Sequence, residues 1–264
     1  MFRGLLYLLI IYILTGCNQP ERKVLVWNDE FNYPGSPDST KWNYDLGNGC
    51  PELCGWGNQE LEYYTNNPKN IRVESGVLII EAHNDSLGGM PFTSTRIISK
   101  YKGDWLYGRI EIRAKLPRGR GTWPAIWMLP TDWAYGGWPA SGEIDIMEHV
   151  GFDPGVIHGS IHTETYNHQK KTQKEGIIIV ADAQDTFHVY SIDWSEVKID
   201  FFVDNTRYHT VSRMPGDSFR EWPFDKRFHL IMNLAVGGFW GGMHGVDDSI
   251  WPQRMEVDYV RVYR

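Results

Sequence analysis

The feature that most limits what this chain can fold into is the spacing of its apolar residues. They recur at every second position and almost never at the helical interval. Arg109-Ile110-Glu111-Ile112-Arg113-Ala114-Lys115-Leu116 is charged on one side and apolar on the other, and it stops at Pro117. Val77 to Ala82 follows the turn Ser75-Gly76, and Met255 to Tyr263 alternates again at the end of the chain. Lys198 to Val203, then Asp204-Asn205-Thr206, then Arg207 to Val211 reads as a hairpin with a short loop. No window of eleven or more residues carries a clean helical period, and 217–224 has room for one helical turn. Many short strands separated by Gly and Pro turns predict an all-β sandwich or jelly roll. With no internal repeat, linker or break in composition among 264 residues, residues 24–264 read as one domain.

Residues 1–16 stand apart from that pattern. A single Arg3 precedes ten apolar residues, Leu5 to Leu14, too few to cross a bilayer as a helix and of the length of a signal-peptide core. The run ends in Leu14-Thr15-Gly16-Cys17, which resembles a bacterial lipobox. On that reading residues 1–16 are removed, Cys17 is lipidated, and 17–23 form a short tether to a membrane of the cell envelope. An ordinary secretory signal is the alternative, and export follows from both. Cys50 and Cys54 then remain in a Gly-rich loop. An oxidising compartment favours their pairing over free thiols, and no flanking Cys or His suggests a metal. The formal charge of −7 argues against nucleic acid as a partner.

The chemistry is expected where acids crowd a strand. Glu143-Ile144-Asp145-Ile146-Met147-Glu148 places Glu143 and Asp145 on one face, roughly 6.6 Å apart along the backbone. Glu148, at an odd spacing, belongs on the opposite face unless a β-bulge at Ile146-Met147 turns it back. Three carboxylates on one face are costly as mere structure, because like charges raise one another's pKa and so separate acid from base. Trp123, Trp127, Trp133 and Trp138 crowd just ahead of the row. Flat aromatic rings suit the apolar faces of pyranoses, and two carboxylates flanking a glycosidic bond are the equipment for hydrolysing it.

The acid row resembles the E-x-D-x-x-E signature of glycoside hydrolase family 16 in its bulged form. The likeness extends through Trp27-Asn28-Asp29-Glu30-Phe31, Gly57 to Thr65, Gly121 to Leu129, His158 to His162, Asn233 to Gly238 and the last strand. These motifs are most similar to the laminarinase branch, the endo-1,3-β-glucanases. The resemblance implies a concanavalin-like β-jelly-roll sandwich of two curved antiparallel sheets with an open glycan cleft. It implies a retaining mechanism with Glu143 as nucleophile, Glu148 as general acid/base and Asp145 tuning Glu143. Retention needs carboxyl groups about 5–5.5 Å apart, whereas five extended residues cover roughly 16 Å; spacing alone does not supply that closure.

The resemblance also assigns Trp123, Trp127 and Trp138 to sugar stacking, and Asn66 and Arg96 to hydrogen bonds on the glycone side. His162 is expected to face substrate, and His158 four residues earlier lacks a third partner for a metal site. No cofactor is implied for catalysis. A structural calcium is implied, held by backbone oxygens of Glu30 and Gly76 and by the Asp258 carboxylate. The partner is then a β-1,3-glucan, met by a monomer. Two alternatives stay open: action on a mixed-linkage glucan or algal galactan, or capture of glycan by a lipoprotein that does not cut it.

Overall fold

The computed structural model describes residues 23–264, so the signal segment and Cys17 lie outside the described residues. The strands are β1 (Leu25–Asp29), β2 (Asn43–Asp45), β3 (Glu62–Tyr64), β4 (Ile71–Glu74), β5 (Val77–Ala82), β6 (Phe92–Ser94), β7 (Arg96–Ile98), β8 (Asp104–Trp105) and β9 (Gly108–Lys115). They continue as β10 (Thr122–Pro130), β11 (Glu143–Glu148), β12 (Val156–His162), β13 (Lys174–Ile179), β14 (His188–Trp194), β15 (Lys198–Val203), β16 (Thr206–Ser212), β17 (Phe228–Val236) and β18 (Gln253–Tyr263).

Two antiparallel sheets of eight strands form the sandwich. One runs β16-β15-β14-β9-β18-β5-β4, with β1 on β18; the other runs β13-β12-β11-β10-β17-β7-β2, with β8 on β17. The alternation in the sequence is the reason for the layering. In β9, Ile110, Ile112 and Ala114 are fully buried between the sheets while the intervening residues are partly exposed. Strand β17, Phe-His-Leu-Ile-Met-Asn-Leu-Ala-Val, is buried along its whole length, as expected of a nearly continuous apolar run covered on both faces. The hairpin closes through Asp204 and Asn205, with Val203 paired to Thr206 and Asp204 in the left-handed region at φ 52°. Over 217–224 there is a single turn, the Trp222 N–H donating to the Ser218 carbonyl at 2.9 Å, with no helix built on it.

The tryptophans divide by place. Trp42, Trp105, Trp194 and Trp222 are buried in the core, and Trp27 and Trp251 pack against it. Trp56, Trp123, Trp127, Trp138 and Trp240 are half-buried around the acid row or its flanks. Cys50 and Cys54 are joined as a disulfide in the loop ahead of Trp56.

Candidate active site

Strand β11 carries the acids, and its register shows how they share a face. Glu143, Asp145 and Glu148 stand opposite His162, Ser160 and His158 of β12, so β11 advances three residues where β12 advances two. On the other side Met147 pairs with Ile126 and Asp145 with Trp127, which leaves Ile146 as the bulged residue. Ile146 and Met147 both turn into the core, 1% and 0% exposed. Two successive inward residues shift the alternation by one, and Glu148 returns to the side of Glu143 and Asp145.

The three carboxylates have different partners. Trp138 Nε1 donates to Glu143 Oε2 at 3.0 Å, and Trp123 Nε1 donates to Glu148 Oε1 at 3.1 Å. Asp145, only 3% exposed, accepts from Ser160 Oγ at 2.5 Å. His162 Nε2 lies 3.2 Å from Asp145 Oδ2 and 3.7 Å from Glu143 Oε1. Burial works against a charge on His162, but its hydrogen bond to Asp145 and the three surrounding carboxylates prevail and hold it up at about 9. That balance favours the imidazolium, and His162 stands between Glu143 and Asp145.

Burial, and after it the charge of Asp145, raises both glutamates. Glu143 is raised to about 8, against the pull of His162 and the Trp138 indole, and Glu148 is raised well above the ordinary carboxylate range. Both carboxyls are thus biased toward the protonated form, and they differ in their donors: Trp138 and His162 favour the ionised form of Glu143, and Trp123 and His162 that of Glu148. A nucleophile and an acid need carboxyls in unlike surroundings, and these two have different partners. A prediction follows with a definite sign. Trp138→Phe removes a donor that favours ionised Glu143, so the Glu143 pKa rises further. The acidic limb of the kcat/KM profile should move to higher pH by up to about one unit, with the basic limb in place. An acidic limb that stays put, or moves down, would contradict the assignment of that limb to Glu143.

Around this centre the elements bring in residues far apart in sequence. Trp127 Nε1 donates to Asn233 Oδ1 at 2.7 Å, Asn233 Nδ2 donates to the Tyr64 hydroxyl at 3.1 Å, and that hydroxyl donates to Glu60 Oε2 at 3.1 Å. The Arg96 guanidinium lies 4.8 Å from the Trp127 ring and 4.6 Å from the Trp56 ring, with Nε 3.0 Å from Asp45 Oδ2. Arg96 is thus a buried, stacked cation, 8% exposed. Asn66 is exposed in the loop after β3. Trp240 packs edge-on against Trp123 with centroids 5.6 Å apart and against His158 at 4.9 Å. His158 Nδ1 meets Glu175 Oε1 at 2.7 Å.

Sequence reasoning did not single out Asp45, Trp56, Ser160, Glu175 or Asn233. Ser160, at least, had a signal: it lies two residues before His162 on an alternating strand and so shares its face. The others reach the site through pairings that no local pattern encodes. Glu143, Asp145 and His162 also offer three ligand atoms within 4.8 Å of one another, the one such cluster among the described residues. Their atoms are already engaged by Trp138, by Ser160 and by one another.

What the arrangement resembles among known proteins agrees with its chemistry. The chain is 51% identical to a β-glucanase of Rhodothermus marinus, over 97% of this chain and 93% of the relative. The laminarinase structure from Rhodothermus marinus superposes with a TM-score of 0.88 at 54% identity, covering 92% of this chain and 97% of that one. A β-1,3-glucan-binding protein of Penaeus monodon is 40% identical over 81% of this chain and 74% of its own length. The family model for glycosyl hydrolases family 16 matches residues 56–261. Two glutamates turned to one face by a bulge, in a jelly-roll sandwich shared with those structures, are therefore no coincidence of composition: the chain belongs to glycosyl hydrolases family 16.

Proposed function

We propose that this chain is an endo-acting, retaining hydrolase of β-1,3-glucan. The observation that carries the reading is the pair of glutamates turned to one face by the bulged strand, each held by its own indole. Glu143 attacks the anomeric carbon while Glu148 gives its proton to the glycosidic oxygen, whose bond to that carbon breaks. The sugar is then esterified to Glu143. Glu148, now a carboxylate, takes a proton from water as the water oxygen attacks the same carbon and frees Glu143. Two inversions leave the configuration unchanged. His162, itself held by Asp145, offsets the charge of Glu143, and the flanking indoles of Trp123, Trp127 and Trp138 offer stacking surfaces. Asn66 and Arg96 serve the glycone side of the cleft.

The resemblance to a glucan-binding protein keeps a non-cutting reading in view, but that reading gives no reason for three crowded carboxylates on one strand face. Early digests of laminarin-type β-1,3-glucan should release reducing ends as oligosaccharides of mixed length, and the first product should carry the β-anomer by NMR. Release only from mixed-linkage glucan or sulfated galactan, or an α-anomer, would sink the proposal.

Two further parts of the reading concern the rest of the molecule. We propose anchoring through Cys17 in the envelope of a bacterium; Cys17→Ser should move the protein from the membrane fraction to the soluble one. We also propose the calcium site. Asp29 pairs with Val260 and Leu78 with Val257, so Glu30 and Gly76 lie one and two residues beyond pairings that flank Asp258. The Asp258 carboxylate meets Arg113 at 2.5 Å, so one oxygen is shared with a cation there. Oxygen ligands of this kind suit calcium. Calcium should raise the melting temperature, and Asp258→Asn should remove the rise; no response in the parent protein would retire the site.

A further inference from the structure

The loop after β17, Gly237-Gly238-Phe239-Trp240-Gly241-Gly242, has two sides with different fates. One side closes on the cleft. Trp240 meets Trp123 and His158, and a side chain at Gly241 would stand 2.7 Å from Trp123 Cβ. The absence of side chains at these glycines is what allows the loop to lie on that indole. The backbone is pinned from below, the Phe239 N–H donating to the Asn58 carbonyl at 2.8 Å.

The other side faces a separate pocket of about 890 Å³ that none of the three acids and none of the cleft tryptophans lines. Phe92, Phe239 and Met243 supply apolar surface there, and Gln59, Asn84 and Asp248 supply polar groups. Phe239 and Met243 are 62% and 60% exposed. What sets these two apart from other exposed apolar side chains is that both line the same pocket, where they are bordered by polar groups, the make-up of a patch that can bind. The chemistry of the lining narrows the ligand. Among the described residues no Lys or Arg lines the pocket and one carboxylate does, which disfavours sulfated or phosphorylated ligands. A rim of amide and carboxylate groups around an exposed ring suits a neutral, hydroxyl-rich ligand with a flat apolar face.

We propose that this pocket is a second, non-catalytic binding site for neutral β-glucan, back to back with the cleft across the 237–242 loop. The assignment of the ligand rests on the β-glucanase reading above. A polymer segment held there keeps the chain near the cleft, and the gain appears with long or insoluble glucan, since a short oligosaccharide occupies one site at a time.

The test uses the full chain. The Glu143→Gln protein, titrated with a β-1,3-linked gluco-oligosaccharide, should bind two equivalents by calorimetry, and the added change Phe239→Ala should reduce this to one. In the active protein, Phe239→Ala should leave kcat/KM on the same oligosaccharide within about twofold. It should weaken adsorption to insoluble β-1,3-glucan by about tenfold. Met243→Gln, which keeps volume at the rim, should weaken adsorption in the same direction. One equivalent in the Glu143→Gln protein, or unchanged adsorption in Phe239→Ala, overturns the proposal. If the parent protein releases no reducing ends from β-1,3-glucan, it is the β-glucanase reading that fails, whatever the stoichiometry.

Discussion

Glu143→Gln should lower kcat on β-1,3-glucan by on the order of 10³-fold or more, with glucan binding kept within a few-fold. The amide is the same size as the carboxyl, so Trp138 and the stacking surfaces keep their places. What is lost is the electron pair that forms the bond to the anomeric carbon. Glu148→Gln should have a different signature. It removes the proton donor, and the deficit should be large for a sugar leaving group and small for a phenol of low pKa, which departs without assistance. With such a phenyl glycoside the first step survives while breakdown of the ester slows, so a burst of phenol should precede a slow steady state. Steady-state rates and burst amplitudes of the two variants, measured side by side, assign the roles. If Glu143→Gln shows the burst and Glu148→Gln does not, the roles are reversed; if either retains near-parental rates on polymer, the two-carboxylate mechanism is wrong.

Asp29→Ala should be the most damaging single change outside the cleft, costing about 3–5 kcal/mol and about 6–15 °C in melting temperature. Asp29 is 1% exposed. Its carboxylate accepts from Trp42 Nε1 at 2.8 Å, from the Tyr33 hydroxyl at 2.8 Å and from the Phe31 N–H at 3.2 Å, with Lys41 Nζ 3.8 Å away. Alanine leaves these donors without that acceptor in a largely buried cluster, and the cluster is large, since Trp42 packs on both Trp27 and Phe31. Asp29→Asn keeps one acceptor oxygen and should cost less. Thermal or urea unfolding of both variants decides; a loss under about 1 kcal/mol for Ala would show that water or a rearranged neighbour satisfies the donors. Because the cluster is remote from β11, kcat of the folded fraction should be unchanged.

These two predictions differ in how readable their bases were. Period-two alternation is a local property, and it was sufficient for the strands, for the hairpin at Asp204-Asn205 and for two-layer packing. The acid row belongs to the same class. The parity of its spacing requires one extra residue, and the bulge at Ile146 supplies it, since an inward pair of apolar residues is the only placement that keeps Ile144, Ile146 and Met147 in the core together. Asp29, by contrast, looked like one letter of a family motif. Its role as a buried hub depends on Tyr33, Lys41 and Trp42 folding back around it, and a strand pattern says nothing about that.

The same boundary runs through the active site. The sequence by itself determined which residues could be acids on a common face and that aromatic rings stood nearby, because both follow from the two-residue repeat of an extended chain. Only the tertiary structure decided which donors and charges each acid meets. Those donors arrive from other elements: Trp123 from β10, Trp138 from the loop before β11, and Ser160 and His162 from β12. The Arg96 stack between Trp56 and Trp127 is of the same kind. Burial and cross-strand partners are properties of the assembled sheets, and a pKa responds to them rather than to the order of residues along one strand.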